Sequence, residues 1–155
     1  MRNAIAGSWI YMIVIIFMVV LIAYVAITIN YANAFEQNEY MIKAIEESEG
    51  FNNTSRARIT QILKNKNATV QHGCPKDDEK YQYIGILDGV PDKRKKINKY
   101  DYCIGRQTVN VGGVDKQFYK IIVYFSFSIP VLGDLYAFQV AGETGGLVYV
   151  YDDTF

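Results

Sequence analysis

Residues 27–50 read ITINYANAFEQNEYMIKAIEESEG. The stretch leaves an apolar segment and enters a charged one, with no Gly or Pro before Gly50. Tyr31, Phe35, Asn38, Ile42 and Ile45 recur at spacings of four, three, four and three, which puts them on one helical face. Glu36, Gln37, Glu39, Lys43, Glu46 and Glu47 fall largely elsewhere. Glu39 and Lys43 form an i,i+4 pair in the favourable order. Gly50 supplies a stop signal. The spacing predicts one helix from about residue 5 to 48, roughly 65 Å long at ~1.5 Å per residue.

Toward the N-terminus, no charged side chain lies between Arg2 and Glu36. The most apolar part is WIYMIVIIFMVVLIAYVAITI, Trp9 to Ile29. About 20 such residues span a bilayer as a helix. A cleaved secretory signal is the competing reading. The block is longer than the usual ~7–15-residue signal core, and no convincing small-x-small site closes it. A transmembrane helix is therefore expected, with Trp9, Tyr11, Phe17, Tyr24 and Ile29 as its packing residues. The first flank carries Arg2 and no acid, whereas the second carries Glu36 and Glu39 before Lys43. Positive charge stays on the cytoplasmic side, so the N-terminus is expected inside and residues after about 30 outside.

At 155 residues there is room for one small domain and an anchor. The expected division is a short cytoplasmic flank or leader at 1–8, the transmembrane helix at 9–29, its amphipathic continuation at 30–50 and an extracytoplasmic α+β head at 51–155. Sixteen basic and 16 acidic residues balance, so the basic excess of a nucleic-acid binder is missing. Cys74 and Cys103 are the only possible intrachain pair. A bridge between them would close a loop of about thirty residues and add roughly 3 kcal/mol. Two unrelated thiols are the alternative. His72, the only histidine, would make an odd zinc set with them.

Asn52-Asn53-Thr54 can cap a second, short helix with Ile59, Ile62 and Leu63 on its apolar side. The period then changes to two. Strands are expected at Tyr81–Leu87, ended by Asp88-Gly89, and at Tyr100–Val109, interrupted by Gly105. Lys93–Asn98 reads as a solvated loop and Val111–Asp115 as a turn. Gln117–Ile129 is the clearest strand, with Tyr119, Ile121, Val123, Phe125, Phe127 and Ile129 on one face and a mixed facing set that includes Lys120, Ser126 and Ser128. Pro130–Asp134 turns the chain. Leu135–Ala141 and Leu147–Tyr151 complete the set around a Gly142–Gly146 turn. Short connections favour an antiparallel meander. A sheet with one apolar face needs a cover. The expected fold class is α+β: a long N-terminal helix with a small antiparallel sheet of four or five strands on its outer half, joined through Tyr31, Phe35, Ile42 and Ile45.

No nucleophile motif or paired His-Glu motif occurs. Asp77-Asp78-Glu79 and Asp152-Asp153 lack the spacing of a calcium loop and read as solvated turns. Gly112-Gly113 and Gly145-Gly146 precede no helix with a Lys and suit tight hairpins. Lys93-Arg94-Lys95-Lys96 is a candidate patch for an anionic partner, with a plain soluble loop as the alternative. No enzyme activity, cofactor, metal, nucleic acid or small-molecule substrate is expected.

The layout resembles that of type IV pilins and pseudopilins, and within them the TadE-like proteins of tight-adherence pilus systems. FSFSIPVLGDLYAFQVAGET, Phe125 to Thr144, is similar in character to the hydrophobic strand, proline turn and strand near the end of such proteins. The resemblance implies a single-pass cell-membrane protein with a cytoplasmic N-terminus and an extracytoplasmic head. It implies a minor pilin or pseudopilin of a pilus or secretion assembly, acting by helix–helix association, with the lipid bilayer and other pilin-like or membrane assembly proteins as partners. It also places a candidate leader cleavage between Gly7 and Ser8. There the pattern departs. Pilins usually carry a glutamate five residues beyond the cleavage-site Gly, and this chain has Met12. The apolar helix also lacks the early acid common in TadE-like proteins, so the usual handle for docking into a filament is missing. A flank that stays attached is the alternative for residues 1–7. The rival to the whole reading is a permanently tethered extracytoplasmic binding or sensory domain.

Overall fold

The computed structural model describes residues 2–64, 69–92, 97–129 and 133–148. Helix α1 spans Arg2–Glu47 as 46 unbroken residues. No proline or glycine falls between Ser8 and Glu47 to kink it. The end is built around Glu49, which takes the left-handed conformation at φ 52°. The Gly50 N–H then donates to the Ile45 carbonyl at 3.0 Å, the bond of a Schellman end. The stop therefore falls one residue before the glycine that announces it.

Helix α2, Asn53–Lys64, follows at once. Asn52 is its cap: Oδ1 accepts from the N–H groups of Thr54 (3.0 Å) and Ser55 (3.2 Å). Ser55 Oγ in turn accepts from the Asn52 N–H at 2.9 Å, a reciprocal arrangement that satisfies the first-turn donors. Ile59 and Leu63 point into the core, and Ile62 packs at its edge.

The sheet has five antiparallel strands, β1 Gln82–Leu87, β2 Val90–Asp92, β3 Tyr102–Val111, β4 Val114–Ile129 and β5 Gly133–Glu143, in the order β2-β1-β3-β4-β5. The layout is the expected long helix and small antiparallel sheet. Strand β2 is additional to the sequence reading. Asp88 and Gly89 both have positive φ (50° and 76°), the two-residue turn whose twist folds a chain straight back. Gly105 does not interrupt β3. It pairs with Tyr83, whose ring lies over it, and a Cβ there would sit 2.7 Å from a ring carbon. Gly142 and Glu143 belong to β5 and not to a turn. Leu147 makes only an isolated bridge with Gln117, and residues 149–151 of the expected last strand lie outside the described residues.

The sheet is buried on both faces along part of its length. On the helical face Tyr102, Tyr119, Ile121, Val123, Phe125 and Val140 meet Met41, Ile45, Phe51 and Ile59. On the other face Tyr81, Tyr83, Tyr100, Cys103 and Ile122 form a second, smaller cluster. That face is the one the sequence shows as mixed. The segment from Thr69 runs beside the sheet, bridged at Thr69 to Phe125 and at His72 to Tyr100, and then lays Cys74 against this cluster.

Candidate functional site

The candidate site is α1 itself, bare from Trp9 to Ile29 and seated on the sheet along its second half. The seat is formed by Ala34, Asn38, Met41 and Ile45, with Met41 and Ile45 fully buried. This stripe is rotated from the expected one. Ile45 lies in it and Ile42 packs at its edge, but Tyr31 is 49% exposed and Phe35 44%. Close approach explains the rotation. A Cβ on Gly142 would meet Ile42 Cδ1 at 2.4 Å and Asn38 Nδ2 at 2.5 Å, so the helix leaves no room for large rings beneath it. The two aromatics stand at the flank. Tyr31 packs on Phe35 (4.7 Å between centroids) and stacks on Phe138 of β5 at 5.6 Å. Series 34/38/41/45 and 35/38/42/45 share the same helical period, so periodicity by itself admits both. Only the partner decides.

Asn38, the polar member of the stripe, is buried, as is Gln37 beside it. Their side-chain oxygens have no hydrogen-bond partner among the described residues. Farther out, Glu46 Oε1 accepts from the Gly145 N–H at 2.8 Å. Glu39 and Lys43 form the expected exposed pair at 3.0 Å, and Glu39 raises the Lys43 pKa.

Nearer the N-terminus the helix is uncovered. Trp9, Tyr11, Phe17, Tyr24 and Ile29 are between 55% and 74% exposed. Among residues 9–30 only Ala23 and Ala26 are partly buried. The segment is long and apolar enough to cross a membrane. Such a run of exposed large side chains is far beyond what a water-soluble surface carries. Gly7 and Ser8 lie within α1, so the helix continues through the candidate cleavage point.

On the far face Cys74 and Cys103 are joined, with 5.6 Å between their Cα atoms. The bond fastens the covering loop to β3. Asp77 and Asp78 turn out to be structural. Asp78 Oδ1 accepts from the N–H groups of Lys80 (2.8 Å) and Tyr81 (2.5 Å), and these bonds lower its pKa. Asp77 Oδ1 accepts from the Tyr83 N–H at 2.8 Å. The pair thus caps the start of β1, a role that spacing alone does not announce. Burial, with Glu143 adding to it, raises the Tyr81 phenol to about 12, and burial also raises Tyr83 and Tyr100. His72 is exposed and stacks on Tyr124 at 4.1 Å. A shallow cleft of about 370 Å³ opens beside the disulfide, lined by Cys74, Lys76, Asp77, Tyr83 and Tyr100 among others. Among the described residues no three His, Cys, Asp or Glu side chains are grouped to hold a metal ion. Lys93, Arg94, Lys95 and Lys96 lie outside the described residues. No model of a known protein family matches the chain, and neither a curated protein nor a solved structure is significantly similar to it.

Proposed function

We propose that the chain is a single-pass membrane protein whose extracytoplasmic head serves a TadE-like minor pilin or pseudopilin role in a pilus or secretion assembly. One observation carries this reading: a single unbroken helix is bare and apolar from Trp9 to Ile29 and covers the sheet in its second half. Head and anchor are therefore one element, so whatever grips the apolar half positions the head directly. The Cys74–Cys103 bond supports an oxidising, extracytoplasmic location for the head. Arg2 supports a cytoplasmic N-terminus. The mechanism is association: apolar side chains from Tyr11 onward, within the membrane, pack against other transmembrane helices.

Photo-crosslinkers at Tyr11 and Phe17, activated in native membranes, test this. Adducts with other pilin-like or membrane assembly proteins are expected. Adducts with lipid alone would reduce the helix to a tether. The second reading, a tethered binding domain, is favoured by the cleft between Cys74, Tyr83 and Tyr100. An unrelated transmembrane helix in place of residues 2–24 separates the two. It abolishes an assembly role and leaves a tethered binding domain working.

A further inference from the structure

The uncharged run from Asn3 to Phe35 is 33 residues, about 50 Å of helix, against roughly 30 Å of hydrocarbon in a bilayer. Length alone leaves open which part lies in lipid. The sheet decides it. Strand β5 runs alongside α1, with Phe138 on Tyr31 and Gly142 against Asn38 and Ile42, and just beyond its end Gly145 is bonded to Glu46. From Tyr31 to the level between Asn38 and Ile42 the helix rises about 13 Å, and from Phe138 to Gly142 the strand rises about 13 Å. The two axes are therefore nearly aligned, and levels on one can be read off the other.

Toward the membrane, β4 continues from Phe125, the partner of Phe138, to Ile129, the partner of Gly133. Those four residues, with a bulge between Phe127 and Ser128, extend up to about 13 Å, or about nine helical residues below Tyr31. The ends of β4 and β5 thus lie level with Ile22 and Ala23. The partial burial of Ala23 and Ala26, in a stretch otherwise exposed, falls at this level.

If Trp9–Ile29 filled the hydrocarbon, these strand ends would be about 10 Å inside it. Strand β3 pairs with β4 only as far as Ile122, and the Thr69 bridge reaches Phe125. Beyond that, β4 from Phe127 to Ile129 has only β5 as a strand partner among the described residues. Strand β5 is itself the edge of the sheet. Outward-facing backbone groups in lipid cost several kcal/mol each. Several such groups outweigh the preference of the single Trp9 ring for an interface, and also the exposure of the few apolar side chains between Val25 and Tyr31.

We propose that the hydrocarbon is crossed by about Asn3 to Ile22, and that the ends of β4 and β5 seat in the outer headgroup layer, against the lipid that α1 spans. This rests on the membrane-anchor reading. Arg2 and Tyr24 then stand about 33 Å apart at the two interfaces, as basic and aromatic anchors do. The head sits on the bilayer without a stalk.

Trp9 is the only tryptophan, so the unaltered full chain reports the register. In the proposed register Trp9 is about 10 Å inside the inner boundary. In the alternative it lies at that boundary. The chain is reconstituted in phosphatidylcholine vesicles brominated either deep in the acyl chains or near the headgroup. Greater loss of Trp emission to deep bromine is expected. Greater loss to shallow bromine would overturn the proposal and leave the anchor intact. No loss to either would remove the anchor itself. Ile29→Cys gives an independent reading, since both native cysteines are in the disulfide. A membrane-impermeant maleimide added outside is expected to label it, and protection that ends when detergent dissolves the bilayer would overturn the proposal.

Discussion

Gly85 faces the ring of Tyr100, and a Cβ there would lie 2.3–2.4 Å from three ring carbons. The ring lies flat on the strand and is held by the Tyr100 hydroxyl donating to Asp92 Oδ2 at 3.0 Å. Gly85→Ala is expected to lower stability by about 1–3 kcal/mol through overpacking, read as a lower urea midpoint with an unchanged slope. The tyrosines also fix a pH limit. Burial raises the phenols of Tyr81, Tyr83, Tyr100 and Tyr102 above the usual value of 10.0, with Tyr81 at about 12. The folded state therefore holds these protons more tightly than the unfolded chain does. Stability is expected to be unaffected by them below about pH 10 and to fall as pH rises toward 12, because the unfolded state then binds fewer protons. Urea midpoints measured from pH 8 to pH 11.5 check this, and a midpoint that rose across that range would contradict the assignment. Neither the glycine contact nor the raised phenols were legible in sequence. The glycine contact and the raised phenols of Tyr81, Tyr83 and Tyr100 arise where β1 and the start of β3 bring separate tyrosines onto one small patch, whereas Tyr102 is buried on the helical face.

At the scale of elements, the helix was legible and its buried face was not. The change of character after Ile29, the absence of a breaker and the capping Asn52 are local signals, and the structure follows them. Which stripe goes under depends on the sheet. Met41 is fully buried and Phe35 nearly half exposed, so Met41→Ala is expected to cost about 2–5 kcal/mol and Phe35→Ala only about 0.5. Thermal or urea unfolding of the two variants in the same detergent tests this, and the reverse order would restore the stripe read from periodicity. The hydrophobic pattern of β4 was equally plain, since Tyr119, Ile121, Val123 and Phe125 all enter the helical core. The opposite face is mixed in sequence, with Lys120, Ser126 and Ser128, and its cover includes Cys74, from a loop with no periodicity of its own.

For the whole molecule, the helix and the sheet depend on one another. Residues 51–155 alone would expose the side of the sheet that Met41, Ala44 and Ile45 cover. That fragment is expected to be insoluble or molten, whereas residues 31–155 keep the cover and are expected to fold. Far-UV and near-UV circular dichroism distinguish the outcomes, and a well-packed 51–155 fragment would show that the head does not need its helix. The disulfide contributes at the same scale. Cys74→Ser with Cys103→Ser is expected to lower stability by about 3 kcal/mol, by freeing the loop that covers the second cluster.

The sequence by itself determined the helix, its apolar half, the pattern of the main strand and the single cysteine pairing that was possible. Each is a local or combinatorial property: an apolar run, a period, a cap, two cysteines. The tertiary structure alone decided the face of α1 that is buried, the pairing of Gly105 and Gly85 with tyrosine rings, and the capping use of Asp77 and Asp78. These depend on distances between residues far apart in the chain. A period of 3.6 or 2 fixes how side chains repeat along an element, but the partner fixes which of the equivalent faces is used.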